Sequence, residues 1–488
     1  MRIDTILHSG VIRGISWSAF ERLSVQGIQF AVFVFMARAL TPTDYGLVGM
    51  LGFFIVIAQL MAEGGLSQAI IRKLNRTETD CSTAFWVNLA AATALYGLLC
   101  AGAPLISRFY GEPRLTALLR VLALAVVIQA TLVVHRAVLT AELDFKTQAK
   151  STLVGALVSG LTGLYMAYRG LGAWALVGLQ LTNQLATGIT LWIVSPWRPG
   201  LVFSRASFRN LFGFGSKLLM SNVVESIYQS IYTMTIGKVF SAYALGCYGN
   251  ARQLGSISSE NLTRIVQRAA YPLFCTIRSD REHLRTTIRS YMKLAAFFIF
   301  PLMLGLAALA EPLTIALIGH QWIYTARLLR ILCLSFLLFP LNAINLMILE
   351  ILGQGGAYLR LQLFNILCGL ALLAAMLPLG LSAVCCGLFA ASLAGYTAGA
   401  TAGGGRIGLG FYRQVRAVFP IMLNSAVMAG IMYALRFIIH GEWAQIALGS
   451  LIGLTVYTGL SVAFQTDTCR MILRLVHRPD DTQETSRP

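Results

Sequence analysis

Residues 45–71 read YGLVGMLGFFIVIAQLMAEGGLSQAII, with Glu63 as the one charged side chain. About 20 mainly apolar residues suffice for a helix to cross the hydrocarbon of a bilayer. This stretch is long and apolar enough to do so. Three of its polar residues, Gln59, Glu63 and Ser67, fall at i, i+4 and i+8, on one helical face. Thr41-Pro42-Thr43-Asp44 punctuates its start.

The rest of the chain repeats this pattern. It has 488 residues, 57% hydrophobic and only 12% charged, with mean hydropathy +0.70. Soluble domains run about 45–50% apolar and about 25% charged. Such a balance excludes a cytosolic enzyme, a disordered chain and a fibrous repeat, and implies an all-α polytopic membrane protein. Fourteen spans are expected, at 14–39, 45–71, 82–106, 117–139, 150–168, 172–195, 211–237, 243–273, 291–318, 324–349, 359–378, 380–401, 416–438 and 443–465. Gly111-Glu112-Pro113, Pro196-Trp197-Arg198-Pro199 and Gly403-Gly404-Gly405 fall between spans. Ala37-Arg38-Ala39 has the form of a cleavage site, but the stretch before it is too long and polar for a signal sequence. Residues 466–488 read as a polar tail.

The net charge is +18. In a membrane protein such an excess sets topology and does not imply nucleic acid. With the N-terminus inside, inner segments hold the clusters Arg72/Lys73/Arg76, Arg198/Arg205/Arg209, Arg278/Arg281/Arg285/Arg289 and Arg406/Arg413/Arg416, together with Arg360. Outer loops hold only Arg38, Arg108, Arg114, Arg169 and Lys238. Both termini are therefore expected in the cytoplasm. The nine cysteines read as small apolar fillers, and no His/Cys spacing suggests a metal. No cofactor is expected. Trp17, Trp174, Trp192, Trp197, Trp322 and Trp443 read as an interfacial belt, with His135-Arg136 as an interface anchor.

An internal repeat lies at an offset of 200. Arg38-Ala-Leu-Thr-Pro-Thr-Asp-Tyr-Gly46-Leu-Val-Gly49 aligns with Lys238-Val-Phe-Ser-Ala-Tyr-Ala-Leu-Gly246-Cys-Tyr-Gly249, and Gln29 with Gln229. The offset equals six spans, so the halves share one orientation, a parallel repeat.

Polar residues inside spans usually face a cavity or a partner, because hydrocarbon penalises them. Span one carries Ser18, Arg22, Gln26 and Gln29 on one face, and span seven carries Ser221, Glu225, Tyr228 and Tyr232. Span eight is the most polar, with Asn250, Arg252, Gln253, Glu260, Arg264, Gln267 and Arg268. Arg22, Arg252 and Arg264, with Gln26, Gln29 and Gln253 beside them, are the candidate ligands of a diphosphate, which guanidinium forks bind in bidentate fashion. Glu63, Glu225 and Glu260 are the candidate acids for ion coupling. The competing reading is that these acids and arginines pair only to hold helices together. Arg264 and Arg268 can also serve topology alone. Gly155, Ser159 and Gly163 form a small-residue packing face.

Several segments resemble the Wzx-type polysaccharide exporters of the multidrug/oligosaccharidyl-lipid/polysaccharide superfamily, in the branch of the colanic-acid exporter. They include Ala37–Gly46, Glu63-Gly-Gly-Leu-Ser-Gln-Ala-Ile-Ile71, Leu139-Thr-Ala-Glu-Leu-Asp-Phe-Lys146 and Gly170-Leu-Gly-Ala-Trp-Ala-Leu-Val177. Phe212-Gly-Phe-Gly-Ser216, Ile236-Gly-Lys-Val-Phe-Ser241 and Leu245-Gly-Cys-Tyr-Gly-Asn-Ala251 follow in family order. The resemblance covers roughly the first two-thirds of the chain.

It implies a fold like that of the multidrug exporters. Two six-helix lobes, 1–200 and 201–402, would be followed by a helix pair at 403–465. It implies alternating access, and an undecaprenyl-diphosphate-linked oligosaccharide carried across the bacterial inner membrane. Membrane lipids and the polysaccharide polymerase or assembly machinery would be its partners. Two departures stand out. Many relatives have Asp-Leu-Gly-Leu-Ser where this chain has Glu63-Gly-Gly-Leu-Ser67, and an Asp before Ile-Gly-Lys where it has Tyr232-Thr-Met-Thr235.

Two other functions compete. A drug or cation antiporter would favour an acidic, aromatic cavity, against the arginines found here. A membrane polysaccharide polymerase would need sizeable charged outer loops, and these are short. Gly213-Phe-Gly-Ser-Lys217 is too short for a nucleotide-binding loop.

Overall fold

The computed structural model describes residues 24–73 and 75–464. They form α-helices and short 3-10 turns, with no strand among the described residues. The helices are α1 Ser24–Ala39, α2 Pro42–Glu63, α3 Leu66–Arg72, α4 Glu78–Tyr110, α5 Arg114–Leu122 and α6 Leu124–Ala141. Next come α7 Phe145–Tyr168, α8 Ala173–Val194, α9 Arg205–Val239, α10 Ala242–Thr276, α11 Arg281–Ala308 and α12 Ala310–Ile318. The last are α13 Ile323–Ile351, α14 Gly355–Met376, α15 Leu381–Ala402, α16 Phe411–Ala434 and α17 Glu442–Phe464.

Within the described residues the expected spans fall on helix, and the second, 45–71, breaks at Gly64-Gly65 between α2 and α3; ten helical stretches are long and apolar enough to cross a membrane. This is a multi-pass membrane protein. The other four expected spans fall on α1, α8, α9 and α10, which do not meet that criterion. For α9 and α10 the difference has a physical cause in composition: Arg209, Lys217 and Glu225 on the first and Arg252, Glu260, Arg264 and Arg268 on the second lower the hydropathy of the helix, whereas the 33-residue α4 qualifies. Each runs 35 residues, about 52 Å at 1.5 Å per residue. Arg205 and Arg209, expected in a loop, belong to the first turns of α9, and Arg281, Arg285 and Arg289 to α11.

Local chemistry sets the helix ends. Thr41 accepts from the Asp44 amide at 3.3 Å while Asp44 accepts from the Thr41 amide at 3.0 Å, a capping box with Pro42 at the first turn. Thr77 and Asp80 repeat this at α4, and Lys73 closes on the buried Asp80 at 2.6 Å. Ser241 accepts from the Ala244 amide at 3.1 Å. Thr41 and Ser241 are thus equivalent caps, 200 residues apart.

Cα clustering divides the chain into two compact units, Met1–Gly249 and Asn250–Pro488. In the first, α7 packs along α8 through the small-residue face. A Cβ on Gly155 would stand 2.0 Å from Thr187 Oγ1, one on Gly163 2.8 Å from Leu179, and Asn183 donates to Ser159 at 3.2 Å. The repeat segments meet reciprocally. A Cβ on Gly46 would stand 1.7 Å from the Ala242 carbonyl oxygen, and one on Gly246 1.8 Å from that of Pro42.

The aromatic residues depart from the expected belt. His135 is fully buried between Trp192 and Trp197, at 4.8 and 4.9 Å between ring centroids, with Phe85 against both tryptophans. Trp322 is also fully buried, whereas Trp174 and Trp443 are exposed. Hydropathy at a helix end does not tell a tryptophan facing lipid from one packed inward. Trp17 and the 466–488 tail lie outside the described residues.

In the second unit α11 packs on α13 and α16, and α15 on α13 and α14. Asn345 and Gln414, both buried, exchange side-chain hydrogen bonds at 3.1 and 2.8 Å and tie α13 to α16. Glu311 binds Arg436 at 2.7 Å and Arg330 at 3.4 Å, with both guanidiniums over Tyr433.

Candidate functional site

Glu63 is the last residue of α2. The chain there needs two successive left-handed residues, which glycine adopts without strain. Gly64 and Gly65 supply them, at φ +58° and +69°. A Cβ on Gly65 would stand 2.3 Å from the Gly215 carbonyl oxygen, so α9 presses directly on this turn. The turn starts α3 and brings Ser67 back over Glu63, to whose Oε1 it donates. Asn88, fully buried on α4, donates to the Ala62 and Glu63 carbonyls at 3.1 and 3.3 Å with its amide in the satisfied orientation.

Glu63 and Ser67 open onto a cavity of about 280 Å³ within the first unit. Its other polar walls come from Gln129, Arg136 and Thr140 of α6 and Gln148 of α7, and Gln148 donates to Thr140 at 3.0 Å. One carboxylate, one guanidinium and two amides therefore line one cavity. Such a set can hold a polar head group, or exchange a proton or cation at Glu63.

Arg136, expected to be an interface anchor, belongs to this cavity. Its signal was present in the sequence. Gln129, Arg136 and Thr140 fall at i, i+7 and i+11, a single face of α6.

The other described candidates do not line this cavity. Arg22 lies outside the described residues. Gln26 is partly buried and Gln29 exposed on α1, and neither lines the Glu63 cavity. Glu225 is exposed on α9 and accepts from Gln229 at 2.6 Å. In the second unit, Arg252 is partly buried and Gln253 exposed on α10. Glu260 and Arg264 form an i, i+4 ion pair at 2.9 Å within α10, which ties no second helix to it. Asn250, in the same polar run, is buried with its Nδ2 unpartnered. Among the described residues no three His, Cys, Asp or Glu side chains converge as metal ligands would.

The sequence model of a family described as "Polysaccharide biosynthesis protein" matches residues 35–327, more than half of the chain. Teichuronic acid biosynthesis protein TuaB of Bacillus subtilis (strain 168) is 26% identical over 326 residues, covering 66% of this chain and 68% of that protein. Lipopolysaccharide biosynthesis protein WzxC of Escherichia coli (strain K12) is 23% identical over 335 residues, covering 68% of each. Among solved structures, the lipid II flippase MurJ in an inward closed conformation superposes with TM-score 0.74 at 15% identity, over 94% of this chain and 100% of that one. An inward-facing multidrug transporter of the MATE family superposes with TM-score 0.58 at 18% identity, over 78% of this chain and 94% of that one. The fold is that of this exporter superfamily.

Proposed function

This chain belongs to the polysaccharide biosynthesis protein family, and from that membership we propose that it is a flippase for lipid-linked oligosaccharides. The substrate is an oligosaccharide repeat unit on undecaprenyl diphosphate. It moves from the cytoplasmic to the outer leaflet of a bacterial inner membrane by alternating access. The named activities of relatives and fold neighbours agree with this reading: lipopolysaccharide biosynthesis for WzxC and lipid II flipping for MurJ. The chain forms no bond in this reading and is a transporter, not an enzyme. The lobes 1–200 and 201–402, the helix pair 403–465 and the cytoplasmic placement of both termini belong to the same proposal, as does a polymerase that consumes the flipped product.

The observation that carries it is α10. Arg252, Gln253, Glu260 and Arg264 are exposed or only partly buried on one helix of a membrane protein. Hydrocarbon would penalise each of them by several kcal/mol, so this helix lines water. Arg252 and Arg264, with Arg22 of the first span, are proposed to bind the diphosphate through their N–H forks. Gln26, Gln29 and Gln253 would serve the sugar hydroxyls, and Glu63 the coupling ion, with Glu225 and Glu260 as the other acids of the route.

The test is a strain that lacks this protein but keeps its glycosyltransferases. Undecaprenyl-diphosphate-linked oligosaccharide should accumulate on the cytoplasmic face, hidden from an impermeant sugar-binding probe on spheroplasts, and the wild-type chain should restore exposure. Intermediate that reaches the outer face unpolymerised would instead indicate a polymerase.

A further inference from the structure

The second unit holds a larger cavity, of about 540 Å³, that the function above does not use. Arg360, on the first two turns of α14, and Arg406, in the 3-10 turn Gly404–Ile407 after α15, both line it. Leu361, Phe364, Ala398 and Ala402 form its apolar wall, and no carboxylate lines it. Arg360 donates to the Gly356 carbonyl at 3.3 Å, and Arg406 to that of Ala402. A guanidinium has five N–H donors, so these backbone bonds aim each side chain and leave donors for a ligand. Beyond the cavity wall, Arg285 pairs with Glu282 at 2.5 Å and Arg413 donates to the Gly408 carbonyl at 2.6 Å.

The cavity is at the end of two membrane helices, and an apolar track leads away from it. On α14, Arg360, Phe364, Leu367 and Ala371 fall at i, i+4, i+7 and i+11, and all four are exposed. On α15, Ala390 is exposed about two turns before Ala398, which lines the cavity. Only 17% of the membrane window of α14 is buried, so this helix meets lipid over most of its surface. Basic pockets between membrane helices suit anionic head groups, while a zwitterionic head group would bring its own ammonium against two guanidiniums.

We propose that this pocket binds the phosphate of an anionic membrane phospholipid, with its acyl chains along the α14–α15 track. The inference is independent of which substrate the protein flips.

The full chain, purified in mild detergent with equal phosphatidylglycerol and phosphatidylethanolamine, would be examined by native mass spectrometry. The wild type should retain phosphatidylglycerol in preference. A double Arg360→Ala/Arg406→Ala variant should lower that retention by about tenfold. The double Arg→Lys variant, which keeps the charges that set topology, should fall between the two. Equal retention by the wild type and the alanine double variant overturns the proposal, as does equal retention of both lipids. Displacement of phosphatidylglycerol by inorganic phosphate at the same concentration also overturns it, because the site would then be a free-anion site. Should the alanine variant not fold, Ala398→Phe fills the cavity with both arginines in place. It should lose phosphatidylglycerol, and undiminished retention overturns the proposal.

Discussion

Glu63 combines exposure to a cavity with a fixed partner. Its carboxylate accepts from Ser67 and shares the cavity walls with Arg136. Glu63→Gln keeps the size of the side chain and removes its charge. In a flippase-null strain, export by this variant should drop about tenfold or more and no longer respond to collapse of the ion gradient. Export that keeps its gradient dependence removes Glu63 from coupling. In the same assay Arg252→Ala should abolish export with unchanged protein in the membrane, and full complementation would remove Arg252 from the site. Arg264→Ala should likewise lower export while changing stability little, since its i, i+4 pair with Glu260 contributes about 0.3–0.5 kcal/mol. The nearness of Glu63 and Ser67 was legible in sequence as an i, i+4 spacing, but the means was not: α2 ends at Glu63 and the Gly64-Gly65 turn brings Ser67 back over it. The approach of Arg136 was not, because it depends on how α6 is rotated against α2 and α3.

At the scale of elements, the repeat has physical content. Thr41 and Ser241 cap α2 and α10 in the same way, and Gly46 and Gly246 let the two helix starts cross with backbone against backbone. A side chain at either glycine would collide with a carbonyl oxygen at 1.7 or 1.8 Å. Gly46→Ala and Gly246→Ala should each destabilise by about 1–3 kcal/mol, the usual range of overpacking. Thermal unfolding of the purified protein would show it as a lower midpoint. Gly49→Ala and Gly249→Ala are the matched controls, since a Cβ there meets nothing closer than 3.5 Å, and they should unfold near the wild-type midpoint. An unchanged midpoint for Gly46→Ala would mean that the close crossing is not held in the folded protein. Sequence alignment of the two segments marks both pairs of glycines alike. Only the crossing separates the glycine that must be bare from the one that has room.

For the whole molecule, hydropathy located the helices well, and polarity blurred their role at α9 and α10. From the charge bias along the chain, the arginine-rich segments are expected on one side of the membrane. Reporter fusions at the two termini should therefore both report a cytoplasmic location, and an outward-facing signal from either would require one span fewer or more than fourteen. The two lobes with a terminal helix pair remain part of the proposed function. The compact units Met1–Gly249 and Asn250–Pro488 were not foreseen. Their boundary falls inside α10, where no Pro or linker marks it, although the polar run of that helix begins there at Asn250.

By itself the sequence determined the membrane class, the position of the helices and the chemistry of their caps. Hydrocarbon leaves the backbone no partner outside its own helix, so a long apolar run has one outcome, and capping is decided within a few residues. The tertiary structure decided which distant residues meet: Glu63 with Arg136, Gly46 with Ala242, Arg360 with Arg406. Such meetings depend on the rotation and depth of each helix against its neighbours. Those are set by side-chain packing among many residues at once, to which the hydropathy of any single segment is blind.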